Sequence, residues 1–156
     1  MHPKKPIKRH ESLQPLSHEH HDALLLCWKI RTGLKNKTDV SRIKEYTNSF
    51  FQNILKPHFK IEENHLFPIV DYKNELIQRA LADHRRLTII FESVDNIREN
   101  LELIEKELES HVRFEERLLF NLIQATATKE QLEIIKTEVG DKAPEEIWKD
   151  QFWENK

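Results

Sequence analysis

From Val40 onward the apolar residues recur at intervals of three and four. One run carries Ile43, Tyr46, Phe50, Phe51 and Ile54; a second carries Leu76, Ile77, Leu81, Leu87 and Ile90; a third carries Leu101, Ile104, Leu108, Val112, Leu119 and Ile123. Polar and charged residues, Glu, Lys and Arg prominent among them, fill most positions between them. This period marks amphipathic helices with one face turned to a core. It predicts helices over about 17–31, 40–67, 74–94 and 97–124, with a short fifth at about 128–140. Ser17 reads as the first N-cap and Gly33 as the stop of that helix. Pro57 predicts a kink or restart just before His58, and Pro68 a stop. Thr128 and Gln131 have capping-box spacing. Four long helices with short links read as an all-α, up-down-up-down four-helix bundle with a short C-terminal helix. On this reading residues 1–16, with three of the six prolines, form an irregular arm, 17–140 the bundle, and 141–156 a tail that either docks as a short helix or stays loose. The arm's composition points to disorder.

Composition narrows the picture. A chain of 156 residues suits one domain, and its two glycines suit helices. A net charge of -2 leaves no broad basic surface, so nucleic acid is not an expected partner. No apolar run approaches the ~18 residues of a membrane helix. The opening MHPKKPIKRH is basic but lacks the apolar stretch of a secretory signal. Cys27, the single cysteine, cannot form an intrachain disulfide and sits among apolar neighbours. It reads as an inert thiol in a reducing, cytoplasmic setting.

The candidate chemistry lies in a repeated phrase. HFKIEENHLF at 58–67 and HVRFEERLLF at 111–120 both read H-x-x-x-E-E-x-x-L-F. Residues four apart share a helix face, so His58 pairs with Glu62 and His111 with Glu115, both bracketed by apolar positions. Glu63 and Glu116 lie about 100° round the helix and read as pointing away. A buried, unpaired carboxylate is costly, so two such pairs aimed into one bundle call for a cation. The remaining helices each offer a histidine behind an acidic residue: EHHDAL at 19–24 and DHRRLT at 83–88. His84 falls on the inward stripe. On the first helix His20 aligns with Leu16, Leu24 and Cys27, with His21 as the rival one position round; His65 reads as a rim histidine. Each half of the chain then supplies two imidazoles and a carboxylate: His20, His58 and Glu62, then His84, His111 and Glu115. One solvated His–Glu pair is commonplace, whereas two copies with matching flanks point to a two-metal site. Imidazole and carboxylate without thiolate suit iron, manganese or zinc.

The segments PLSHEHHDAL at 15–24, HFKIEENHLFP at 58–68, DHRRL at 83–87 and HVRFEERLLF at 111–120 resemble, in that order, the hemerythrin-like (HHE cation-binding) proteins. The resemblance implies two non-haem irons joined by an oxo or hydroxo bridge, in a bundle that binds O2, NO or iron itself. Carried over by position, His20, His58, Glu62, His84 and His111 are ligands, with a carboxylate from Glu115 or Glu116; Glu115 repeats Glu62, while Glu116 has the spacing of the oxygen carriers. Where those carriers have a further helix-3 histidine, this chain has Thr88. That departure points away from reversible oxygen carriage and toward domains that sense iron or repair iron–sulfur clusters. A di-iron oxidoreductase and a bundle with structural zinc are the alternative readings.

Overall fold

The computed structural model describes residues 8–140 and 147–154, and among them it is helical, with no strand. Helix α1 spans Gln14–Lys35. It starts ahead of Ser17, with Pro15 in its first turn, where the missing N–H costs nothing. Ser17 is therefore not the cap: its N–H bonds the Leu13 carbonyl at 3.0 Å. Gly33 does not end the helix either. It lies at a close approach, where a Cβ would stand 2.8 Å from both Ile43 Cδ1 and Phe152 Cε1.

Helix α2 is one long rod with two changes of winding. It runs through Val40–Phe50, a π-helical turn Phe51–Leu55, Lys56–Ile61, a second π turn Glu62–Leu66, and Phe67–Val70. The restart expected at Pro57 takes the form of the first π turn, in which Lys56 N–H reaches back to the Phe51 carbonyl. Proline cannot donate to the preceding turn and its ring crowds it; a wider turn accommodates both. Pro68 sits at the start of the last α segment rather than closing the rod.

Helix α3 spans Glu75–Glu92, capped by Asn74, whose side chain accepts from Leu76 N–H. Helix α4 runs through Ile97–Phe114, a π turn Glu115–Leu119, and Phe120–Thr126. Helix α5, Lys129–Val139, carries the expected capping box of Thr128 and Gln131. Helix α1 packs on α2 and α4, and α3 packs on α4. Residues 147–154 dock on the bundle without forming a helix: Phe152 is buried in the core and Asp150 pairs with Arg42. The arm departs from the disorder expected of it: residues 8–13 lie against the bundle, and Leu13 is fully buried. The rest of the arm, 1–7, and residues 141–146 of the tail lie outside the described residues.

Two apolar cores result. One gathers Leu26, Ile30, Phe51, Phe91, Leu101 and Leu108 among others; the second gathers Leu16, Leu66, Phe67, Ile77, Leu119 and Phe120. A polar layer separates them. On every long helix a buried histidine falls between a residue of one core and a residue of the other: Leu16, His20, Ala23; Leu55, His58, Leu66; Ala80, His84, Leu87; Leu108, His111, Phe114. No described helix is long and apolar enough to cross a membrane.

Candidate metal centre

The polar layer contains all six expected residues. His20, His58, Glu62, His84, His111 and Glu115 are each at most 2% exposed. His20 rather than His21 faces inward; His21 is exposed, and His18 lies outside near Asp22. His65 sits at the rim, 3.7 Å from Glu138 of α5.

The glutamates reach the layer from the ends of altered turns. Each opens a π turn, in which Phe67 N–H bonds the Glu62 carbonyl and Phe120 N–H bonds the Glu115 carbonyl. Such turns are uncommon and concentrate at functional sites. Here the wider turn also buries both members of each Leu-Phe doublet, Leu66 with Phe67 and Leu119 with Phe120.

All four imidazoles aim Nε2 at the two carboxylates. His58 Nε2 lies 3.3 Å from Glu62 Oε2, and His84 Nε2 lies 3.2 Å from Glu62 Oε1. His20 Nε2 lies 3.0 Å from Glu115 Oε1, and His111 Nε2 lies 3.1 Å from Glu115 Oε2. Donor atoms fall into two groups within 4.8 Å: His20, His58, Glu62 and Glu115; and Glu62, His84, His111 and Glu115. Both glutamates belong to both groups. Despite the proximity, all four carboxylate oxygens and Nε2 of His84 and of His111 are buried without a hydrogen bond among the described residues. Buried polar atoms left this way are rare and expensive. Nitrogen and oxygen donors gathered so closely, with no thiolate, fit a pair of hard or borderline cations.

Each imidazole is held from behind by a second carboxylate. His20 Nδ1 lies 2.6 Å from Glu116 Oε2, His58 Nδ1 3.0 Å from Glu19 Oε1, His84 Nδ1 2.7 Å from Glu63 Oε2, and His111 Nδ1 2.9 Å from Asp83 Oδ2. Glu63 and Glu116 therefore do not simply face away, as their angular position predicts; each turns back onto an imidazole of the other half. A carboxylate only accepts, so Nδ1 carries a proton, and a cation that replaces any proton on Nε2 would meet that atom's lone pair facing inward. Sequence reading missed these four partners. Their trace is the acidic residue before His20 and before His84 and the second glutamate of each doublet.

Aromatic rings close the layer. Phe59 stacks on His84 at 3.8 Å, and Phe120 lies 4.9 Å from His20. The electrostatics favour positive charge inside. Burial pulls His58 down, yet the charge of Glu62 and the contact with Glu19 outweigh it and hold the group at about 10. Burial likewise lowers His111, but Glu115 and Asp83 raise it to about 9. His20 and His84 are also raised against burial, chiefly by contacts with Glu115. Burial would raise the Glu115 carboxyl, and His111 leads the imidazoles that hold it well below the usual range.

The family model of the hemerythrin HHE cation-binding domain matches residues 11–123. The chain belongs to that family. No curated protein and no solved structure matches it. The matched span holds every residue of this hemerythrin-family centre, from Glu19 to Glu116, and ends at Ile123 in α4.

Proposed function

We propose that this chain is a hemerythrin-like, non-haem di-iron protein, an up-down-up-down bundle that works in the cytoplasm. It binds or senses O2 or NO, or handles iron. The observation that carries this reading is the sharing of Glu62 and Glu115 by both donor groups. Two imidazoles per cation and two carboxylates common to both are what a pair of adjacent ions needs. His20 and His58 would hold one ion, and His84 and His111 the other. An iron pair supplies one-electron redox steps and an open position for a small ligand. The protein contributes the rest: outer carboxylates that fix each imidazole tautomer, two apolar cores that keep water out, and aromatic rings that limit the space.

Thr88 bears on which ligand is served. Its hydroxyl donates to the His84 carbonyl one turn back, at 2.7 Å, and so adds nothing to the centre. Two imidazoles per ion leave more open positions than a carrier that must release its ligand unchanged. That favours sensing, iron handling or turnover, such as NO or peroxide reduction or iron donation to damaged clusters. Zinc or manganese would fit the same donors.

The test is anaerobic purification, reconstitution with ferrous iron, metal counting and then exposure to air. The expected result is two irons per chain and a visible absorption band that appears on oxidation. A chain that holds at most one tightly bound metal at saturation refutes the two-metal reading. Turnover assays with NO and peroxide then separate an enzyme from a binder.

A further inference from the structure

The two halves of the centre are built alike but are not held alike. Glu63 and Glu116 occupy equivalent places in the repeated phrase, each against an imidazole of the other half. Beyond His84, no donor among the described residues reaches the Glu63 carboxylate, and that side chain is 40% exposed. Glu116 is gripped. Ser17 Oγ lies 3.1 and 2.9 Å from its two oxygens, and Arg9 Nη2 lies 3.4 Å from Oε1 while also donating to the Glu116 carbonyl at 3.0 Å. Ser17 stands three residues before His20; the matching position before His84 is Leu81, which has no hydroxyl.

Among the described residues Arg9, which comes from the segment ahead of α1, has no counterpart at Glu63 in the other half. That segment is clamped in place. The Gln124 side chain accepts from His10 N–H and donates to the Lys8 carbonyl, both at 2.8 Å, so it reads the backbone on either side of Arg9. Arg9 Nη1 donates to Asn121 Oδ1 at 3.2 Å, and the guanidinium lies 5.4 Å from the Phe120 ring, which itself packs on His20. Only 14% of the Arg9 side chain is exposed.

We propose that Arg9 is a positioning residue: acting through Glu116, it fixes the His20 imidazole and makes the His20 half of the centre different from the His84 half. An outer carboxylate both orients its imidazole and strengthens it as a donor. Arg9 and Ser17 lock the Glu116 carboxylate and take up part of its charge. His20 is therefore the more rigid ring and the weaker electron donor, and His84, backed by the barer Glu63, is the stronger. The inequality between two cations rests on the di-metal reading; the hold on the imidazole does not.

The test follows the ring Nδ1–H protons by NMR in the full chain labelled with 15N-histidine, both metal-free and zinc-loaded, with signals assigned through H20Q and H84Q. In Arg9→Met the His20 proton should exchange with water about tenfold faster, while the His84 proton changes by less than about twofold. Gln124→Ala releases the arm without touching Glu116 and should produce the same selective effect. It decides the matter if Arg9→Met does not fold. The proposal is overturned if Gln124→Ala and a folded Arg9→Met leave the His20 proton unchanged, or if all four protons speed up together, which is general loosening. A wild-type chain that takes up neither zinc nor iron refutes the metal reading instead, and the metal-free spectra still decide the role of Arg9.

Discussion

Stripping metal from this protein should lower its melting temperature by ~18 °C rather than by a few degrees. The magnitude follows from the atoms left without partners. Six polar atoms of the centre lack a hydrogen bond among the described residues: both oxygens of Glu62, both of Glu115, and Nε2 of His84 and of His111. At the low end of the usual cost, ~1 kcal/mol each, cations that satisfy them recover ~6 kcal/mol. Unfolding a 156-residue chain gains ~330 cal/mol/K at ~2.1 cal/mol/K per residue, so ~6 kcal/mol corresponds to ~18 °C. Mass action agrees: ~3 kcal/mol per ion requires free metal only ~150-fold above its dissociation constant. Scanning calorimetry on chelated and iron- or zinc-loaded protein measures the difference, and circular dichroism before heating confirms that both are folded. Midpoints that agree within about 3 °C would refute the reasoning, because the carboxylates would then be satisfied without a cation.

The sharing of the glutamates predicts a pattern of stoichiometry: Glu62→Ala and Glu115→Ala each impair both ions, whereas His20→Ala or His84→Ala mainly weakens one, as metal counting on the purified variants will show. Glu63→Ala and Glu116→Ala should keep both ions but weaken binding by about 10–100-fold, read by competition with a chelator. Unchanged affinity in both would mean that the contacts to His84 and His20 are incidental. Cys27, whose thiol is pushed up to about 12 by burial and then by Glu109 and Glu105, should stay unlabelled by thiol reagents at pH 8 until denaturant opens the core. Gly33→Ala sets a methyl against Ile43 and Phe152 and should destabilise the chain by about 1–2 kcal/mol, the crowding exceeding the gain in helix propensity; urea titration followed by Trp fluorescence checks it.

His58 with Glu62 and His111 with Glu115 are legible in the chain because a helix carries residues four apart on one face, and apolar neighbours say which face is buried. Choosing His20 over His21 needs only the same stripe. The outer carboxylates are harder to see. Position on one helix says that Glu63 and Glu116 turn away, but not that a neighbouring helix presents an imidazole there. Ser17 misleads for a related reason: its hydroxyl suits an N-cap, yet Pro15 already opens the helix and leaves Ser17 free to bind Glu116. Arg9 leaves no periodic signal at all. Its role depends on Gln124, more than a hundred residues away along the chain.

The π turns at Glu62 and Glu115 have a consequence for anyone who would move this centre elsewhere. A π turn is an α-helix with one residue inserted, so whatever follows is rotated relative to a regular rod. The same pattern, H-x-x-x-E-E-x-x-L-F, carries the same insertion in both halves, which makes the fault a local property of the phrase. Copying the six inward side chains onto a regular bundle would place the histidines and glutamates and then mis-phase everything downstream. Each Leu-Phe doublet would lose its seat in the second core. A transplant therefore has to carry the whole phrase, extra residue included, and a single-residue deletion within either π turn should straighten the rod while unseating its Leu-Phe doublet.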